Sequence, residues 1–96
     1  GLEVSGDELA ALCRRYRVAR LEVFGSSARG DFRDDSDVDL LVEFESGVAV
    51  GLLHLSGLQI DLQALLGVRV DLVPRAGLKP LIREAVLDEA RELFAA

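Results

Sequence analysis

Apolar residues recur along the chain with two different periods, and the switches between them predict an element order. Leu9, Leu12 and Cys13 fall on one helical face behind Ser5-Gly6-Asp7-Glu8, which reads as a capping box: a hydroxyl at the N-cap and a carboxylate three residues on. The helix is predicted to reach about Tyr16. Arg20 to Phe24 is a short strand, broken by Gly25-Ser26-Ser27, which can open a short helical turn through Arg29. Gly30 to Ser36 is a polar, Asp-rich loop. From Asp37 to Phe44 the pattern alternates: Val38, Leu40, Val42 and Phe44 face one way, and Asp37, Asp39 and Glu43 the other, with Leu41 among them. Gly51 to Leu66 returns to helical spacing through Leu52, Leu55, Leu58, Leu62, Leu65 and Leu66, and Gly67 suits a C-terminal cap. Val68 to Val73 is a third strand, stopped by Pro74. Leu78 to Phe94 reads as one final helix, with Pro80 in its first turn and Leu81, Ala85, Leu87, Ala90 and Phe94 as expected core contacts. This order predicts an α/β (α+β) fold: a three-stranded mixed sheet packed with helices.

The 96 residues are read as a single domain, 1–96, without repeats or linkers. A chain this short buries only roughly 60–65% of its unfolded surface, a limit offset by its 50% hydrophobic content. Eleven basic against seventeen acidic residues give a net charge of −6. That argues against a direct nucleic-acid partner, which requires a basic footprint, but not against a nucleotide held through metal ions. The single cysteine, Cys13, excludes an internal disulfide and points to a reducing compartment. No apolar run approaches the ~18–20 residues needed to cross a bilayer, and no signal-peptide pattern is visible at the start. The expectation is a soluble cytoplasmic domain with no membrane partner. His54, the only histidine, lacks a Cys or His companion for zinc, and Cys13 lacks an activating neighbour, so both are read as structural.

The chemistry concentrates between Gly25 and Asp39. Alternate strand residues lie roughly 6.5–7 Å apart on one face, so Asp37 and Asp39 present two carboxylates side by side. Hard anions on a rigid strand suit Mg²⁺, which completes its octahedron with water and substrate phosphates. A two-metal site clamps the attacking and leaving oxygens with its ions about 3.5–4 Å apart. Asp71, mid-strand between Val70 and Leu72, joins that face if the third strand pairs with the second. Gly25 lets the backbone approach a ligand, and the Ser26 hydroxyl and local amides can hold phosphate at a helix N-terminus. Arg29 can balance phosphate charge. Aspartate is disfavoured inside strands, which raises the weight of the set above that of any one residue. A calcium loop starting at Asp35 is rejected: its sixth position is Leu40 instead of Gly, and its twelfth Ser46 instead of Glu.

The run Gly25-Ser26, ten residues, Asp37-Val38-Asp39 resembles the signature of the DNA polymerase beta-like nucleotidyltransferase superfamily. The longer string GSSARGDFRDDSDVDLLVEF, continued by LLGVRVDLVP and EAVLDEARELF, is similar to the minimal nucleotidyltransferases of bacteria and archaea, so the resemblance covers nearly the whole chain. It implies the family fold, triphosphate binding at Gly25 and Ser26, metal at Asp37 and Asp39, and Asp71 as the third acid. Arg29 matches the basic residue of the family's turn. It also implies ATP as substrate with two Mg²⁺ ions. The partner it implies is a HEPN-type ribonuclease toxin, carrying the tyrosine hydroxyl onto which an antitoxin of this kind transfers AMP. A non-catalytic nucleotide-binding module that neutralises its partner by contact alone is the rival reading. Transfer to a small molecule such as an aminoglycoside is weaker, because it normally needs a further domain to hold the acceptor. Oligomeric state is left open.

Overall fold

The computed structural model describes residues 6–25 and 37–96. Helix α1, Gly6–Arg15, carries Asp7 and Glu8 in its first turn and Arg14 and Arg15 in its last, the charge order that its dipole favours. It buries Leu9, Leu12 and Cys13, as the spacing predicts; Ser5, the expected cap, lies outside the described residues. Arg17 turns the chain through φ 62° into strand β1, Val18–Phe24. Its Nε donates to Glu45 Oε2 at 2.9 Å, tying this turn to the far end of the next strand. Strand β2, Val38–Phe44, runs antiparallel to β1. Helix α2, Leu52–Leu66, ends on Gly67 at φ 71°, whose N–H donates to the Gln63 carbonyl. Strand β3, Val70–Pro74, follows and runs parallel to β2, with the crossover made by α2. A 3-10 turn, Arg75–Gly77, leads to helix α3, Pro80–Glu89.

The last segment corrects the sequence reading. The final helix stops at Glu89, Ala90 is extended, and Arg91–Ala95 form strand β4. The mixed sheet therefore has four strands, in the order β3-β2-β1-β4, with β4 antiparallel to β1. Of the expected core contacts on this segment, Leu81 is 98% exposed and Ala85 is exposed, Leu87 and Ala90 are only half-buried, and Phe94 packs on the core from β4 instead of a helix. The physical reason is the edge of β1. Without β4 its outer N–H and C=O groups would be left without strand partners, and pairing them outweighs the helical propensity of Arg, Glu, Leu and Ala, which differs from that of strand formers by only a few tenths of a kcal/mol per residue.

The main core lies between one face of the sheet and α1 and α2. Leu21, Val23, Leu40, Val42, Val70 and Leu72 meet Leu9, Leu12, Leu58 and Leu62 there. Cys13 is fully buried in this layer, which pushes its thiol up to about 11 and removes it as a nucleophile at neutral pH. His54 is structural as well: its Nε2–H donates to the Tyr16 carbonyl at 2.7 Å, and its ring stands edge-on to Tyr16 and Phe44. The opposite face bears Asp39, Leu41 and Glu43 from β2, with α3 lying across it. Leu41 and Leu78 are buried on that side, which explains an apolar residue in an otherwise polar row. Arg75 braces the same face, reaching Glu22 at 3.2 Å and Glu43 at 3.6 Å. Among the described residues no helix is long and apolar enough to cross a membrane.

Helix α2 is packed along one stripe only. Leu58 is fully buried, while Leu53 is 89% exposed. Leu58→Ala should lower unfolding free energy by about 2–5 kcal/mol, and Leu53→Ala should change it by no more than about 0.5 kcal/mol. Paired denaturant titrations measure both, and equal losses would contradict this division of the helix.

Candidate active site

Two strands build the site by alternation. Asp39 lies between the buried Val38 and Leu40, and Asp71 between the buried Val70 and Leu72. Once the apolar neighbours enter the core, both aspartates must face the other side of the sheet. The parallel register then sets Asp39 directly beside Asp71, at the spacing of neighbouring strands, about 4.8 Å. The condition placed on Asp71, that the third strand pair with the second, is met. Asp39 is half-buried and Asp71 exposed. Burial, then the Asp71 charge, then that of Asp37 raise the Asp39 carboxyl above its ordinary range.

Asp37 stands just ahead of β2 and is half exposed, with Oδ1 at 3.4 Å from Arg69 Nε. Its charge reaches Asp39, but its carboxylate is engaged by the residue preceding β3. Consistent with this, no group of three or more His, Cys, Asp or Glu side chains is gathered as a metal centre among the described residues. The donors that are together, Asp39 and Asp71, fit magnesium by chemistry. They are hard oxygens whose mutual repulsion a cation relieves, and Mg²⁺ is commonly held by one or two carboxylates plus substrate phosphates.

Gly25 closes β1 against this pair. Phe24 pairs with Asp39, and the next residue adopts φ 68°. A Cβ placed on Gly25 would stand 2.8 Å from Asp39 Oδ2. The position excludes a side chain twice, by backbone conformation and by contact with the carboxylate. Ser26 and Arg29, which the sequence assigns to phosphate, lie outside the described residues.

Asp39 and Asp71 open into a cleft of about 350 Å³, whose far wall comes from α3 and the segment before it: Leu78, Lys79, Ile82 and Val86. Sequence reading did not include Lys79. Its only signal there is that it is the one lysine in the chain, and its place opposite the aspartates depends on α3 crossing the sheet. A larger cleft, about 620 Å³, opens at the other end of β2 beside Phe44, Val48, Leu55 and Arg83; neither aspartate of the site lines it.

Comparison with known proteins agrees with this geometry. Residues 9–93 match the family described as the nucleotidyltransferase domain. The protein adenylyltransferase MntA of Thermococcus cleftensis is 47% identical over 78 residues, covering 81% of this chain and 77% of that protein. A solved candidate minimal nucleotidyltransferase superposes with a TM-score of 0.76 at 50% identity, covering 90% of this chain and 86% of its own. The fold also recurs, at 18% identity and a TM-score of 0.67, in a complex of a tri-AMPylated HEPN toxin of Shewanella oneidensis with an MNT antitoxin; the match covers 95% of this chain and 70% of that one. With the paired aspartates, the glycine turn and a match spanning most of its length, this chain belongs to the nucleotidyltransferase domain family.

Proposed function

We propose that the chain is a Mg²⁺-dependent adenylyltransferase that moves AMP from ATP onto a hydroxyl of a separate protein, acting as antitoxin to a HEPN-type ribonuclease toxin. The observation that carries the chemistry is the in-register pairing of Asp39 with Asp71 beside a glycine turn that excludes any side chain. The protein-directed activity rests on the relative named a protein adenylyltransferase. The HEPN partner follows the complex that shares the fold.

In this reading Asp39 and Asp71, joined by Asp37 when it leaves Arg69, hold two Mg²⁺ ions. Magnesium, when bound, neutralises phosphate charge and favours ionisation of a hydroxyl at neutral pH. The acceptor oxygen attacks the α-phosphorus in line, a new O–P bond forms, the bond to the β-phosphate oxygen breaks, and pyrophosphate leaves. Asp71, exposed on the open side, takes the hydroxyl proton. Gly25 brings backbone close to the carboxylates, and Ser26 with its neighbouring amides holds the departing pyrophosphate, with Arg29 balancing its charge. The acceptor side is supplied by the partner that carries the hydroxyl.

One observation favours the rival reading, a module that binds nucleotide and neutralises its partner by contact: the Asp37 carboxylate faces Arg69 instead of joining the Asp39–Asp71 pair. Incubation with a HEPN partner, ATP and Mg²⁺ separates the two. Transfer adds one or more AMP masses to the partner, and Asp37→Asn or Asp39→Asn lowers the rate by more than about a hundredfold while the fold persists. An unmodified partner, equally neutralised by the wild type and both variants, would establish the contact reading.

Asp39→Asn also tests the electrostatics without a partner. A carboxyl whose folded pKa is raised binds more protons folded than unfolded just above the ordinary carboxylate range, so its charge opposes folding at neutral pH and that penalty fades on acidification. The variant should therefore melt higher than wild type at pH 7, with the gap closing as the pH falls through the raised Asp39 pKa. A gap that stays constant with pH would remove this account.

Gly25→Ala meets both the φ penalty and the Asp39 carboxylate. It should cost about 1–3 kcal/mol of stability and most of the transfer activity. Calorimetry alongside the mass assay measures both, and a variant with wild-type stability would show the turn to be permissive.

A further inference from the structure

The cleft beside the aspartates has walls of opposite character. Asp39 and Asp71 line the sheet side, and the α3 side is apolar except for Lys79. An anionic ligand entering there meets repulsion from the two aspartates unless cations intervene, and among the described residues that line the cleft the one positive charge stands on the other wall. We propose that Lys79 is a substrate-binding residue that grips the polyphosphate of the nucleotide from the α3 side. The inference rests on the nucleotide-using reading above and adds to it a binding group from a region that the glycine–serine and aspartate motifs do not reach.

Three observations support it. Lys79 is exposed, and none of the ion pairs among the described residues includes it; Arg14, Arg83 and Arg91 are likewise outside those pairs, but of these four bases Lys79 alone lines the cleft with the aspartates. Its ammonium is therefore available without breaking a contact. Its backbone is fixed: the Lys79 carbonyl accepts the N–H groups of Ile82 at 3.1 Å and Arg83 at 3.0 Å, and Pro80 begins the helix immediately after it. Its neighbour Leu78 is buried, anchoring the approach to the cleft. Lysine also suits the task, since a compact charge with three donors can follow phosphate oxygens without demanding one planar geometry.

The competing account is that Lys79 only balances the aspartates within the folded protein. In that case its loss changes stability and leaves nucleotide affinity alone. Because the chain has a single lysine, reductive methylation followed by peptide mass mapping reads this residue cleanly, with the N-terminal amine as an internal reference. Mg·ATP should slow methylation of Lys79 and not of the N-terminus. Lys79→Gln should raise the Kd for Mg·ATP by about tenfold, the scale of one charge-assisted contact, with an unchanged melting temperature in the absence of ligand. Lys79→Arg should recover most of the affinity. Arg83→Gln, on the same helix but lining the larger cleft, should bind as wild type. If Mg·ATP stabilises the wild type but gives no protection, and Lys79→Gln binds equally well, the role of Lys79 is overturned while the nucleotide reading stands. If the wild type itself binds no Mg·ATP, both fall together.

Discussion

The parallel pairing of β2 with β3 places two like charges side by side, and the remainder of the site is arranged around that placement. Val38 opposite Val70 and Leu40 opposite Leu72 hold the register. A slip of one residue would turn the aspartates toward the core and the apolar residues outward. Each buried valine or leucine contributes about 1.5–3 kcal/mol, whereas like charges directly opposite on neighbouring strands cost about 0.2–1 kcal/mol. Packing on one face therefore fixes an unfavourable arrangement on the other, where burial first and the Asp71 charge second raise the Asp39 carboxyl.

Parallel neighbours need a crossover, and α2 supplies it. Its end is held in two ways: Gly67 closes the helix in the left-handed region, and the Gln63 side chain accepts the N–H of Val70, the first residue of β3. A helix cap and a strand start thus share one residue, which connects the end of the crossover to the beginning of the strand that carries Asp71. The exposed leucines of α2 play no part in this. Its structural task is met by the buried stripe and by the last turn.

Local pattern made α1, β2 and the α2–Gly67 boundary readable, because each depends on spacing within a few residues. The face of the sheet on which Asp39 stands was readable for the same reason. The position of Asp71 beside Asp39 was readable only conditionally, since it depends on which strands pair. The failures are non-local. Leu81, Ala85, Leu87, Ala90 and Phe94 fit one helix by spacing, but the demand for β4 comes from β1, some seventy residues away in the chain. Asp37 precedes β2 as the alternation predicts, and its ion pair with Arg69 is a contact that local spacing could not foresee. Lys79 had no motif to announce it, because its place in the cleft with the aspartates depends on the path of α3.

That path of α3 explains how an open-faced sheet can carry both a small core and a site. The face bearing Asp39 also bears Leu41, and both Leu41 and Leu78, at the approach to α3, are buried. The 3-10 turn before α3 is held by Arg75, whose guanidinium spans Glu22 of β1 and Glu43 of β2. The Arg75–Glu22 pair is more shielded than the other ion pairs described, with the Arg75 side chain 24% and the Glu22 side chain 12% exposed, so solvent weakens it less than it does surface pairs. Arg75 and Leu78 thus fix where α3 begins. The wall opposite the aspartates stands on contacts separate from the carboxylates themselves, and the cleft does not rely on its charged residues to hold it open.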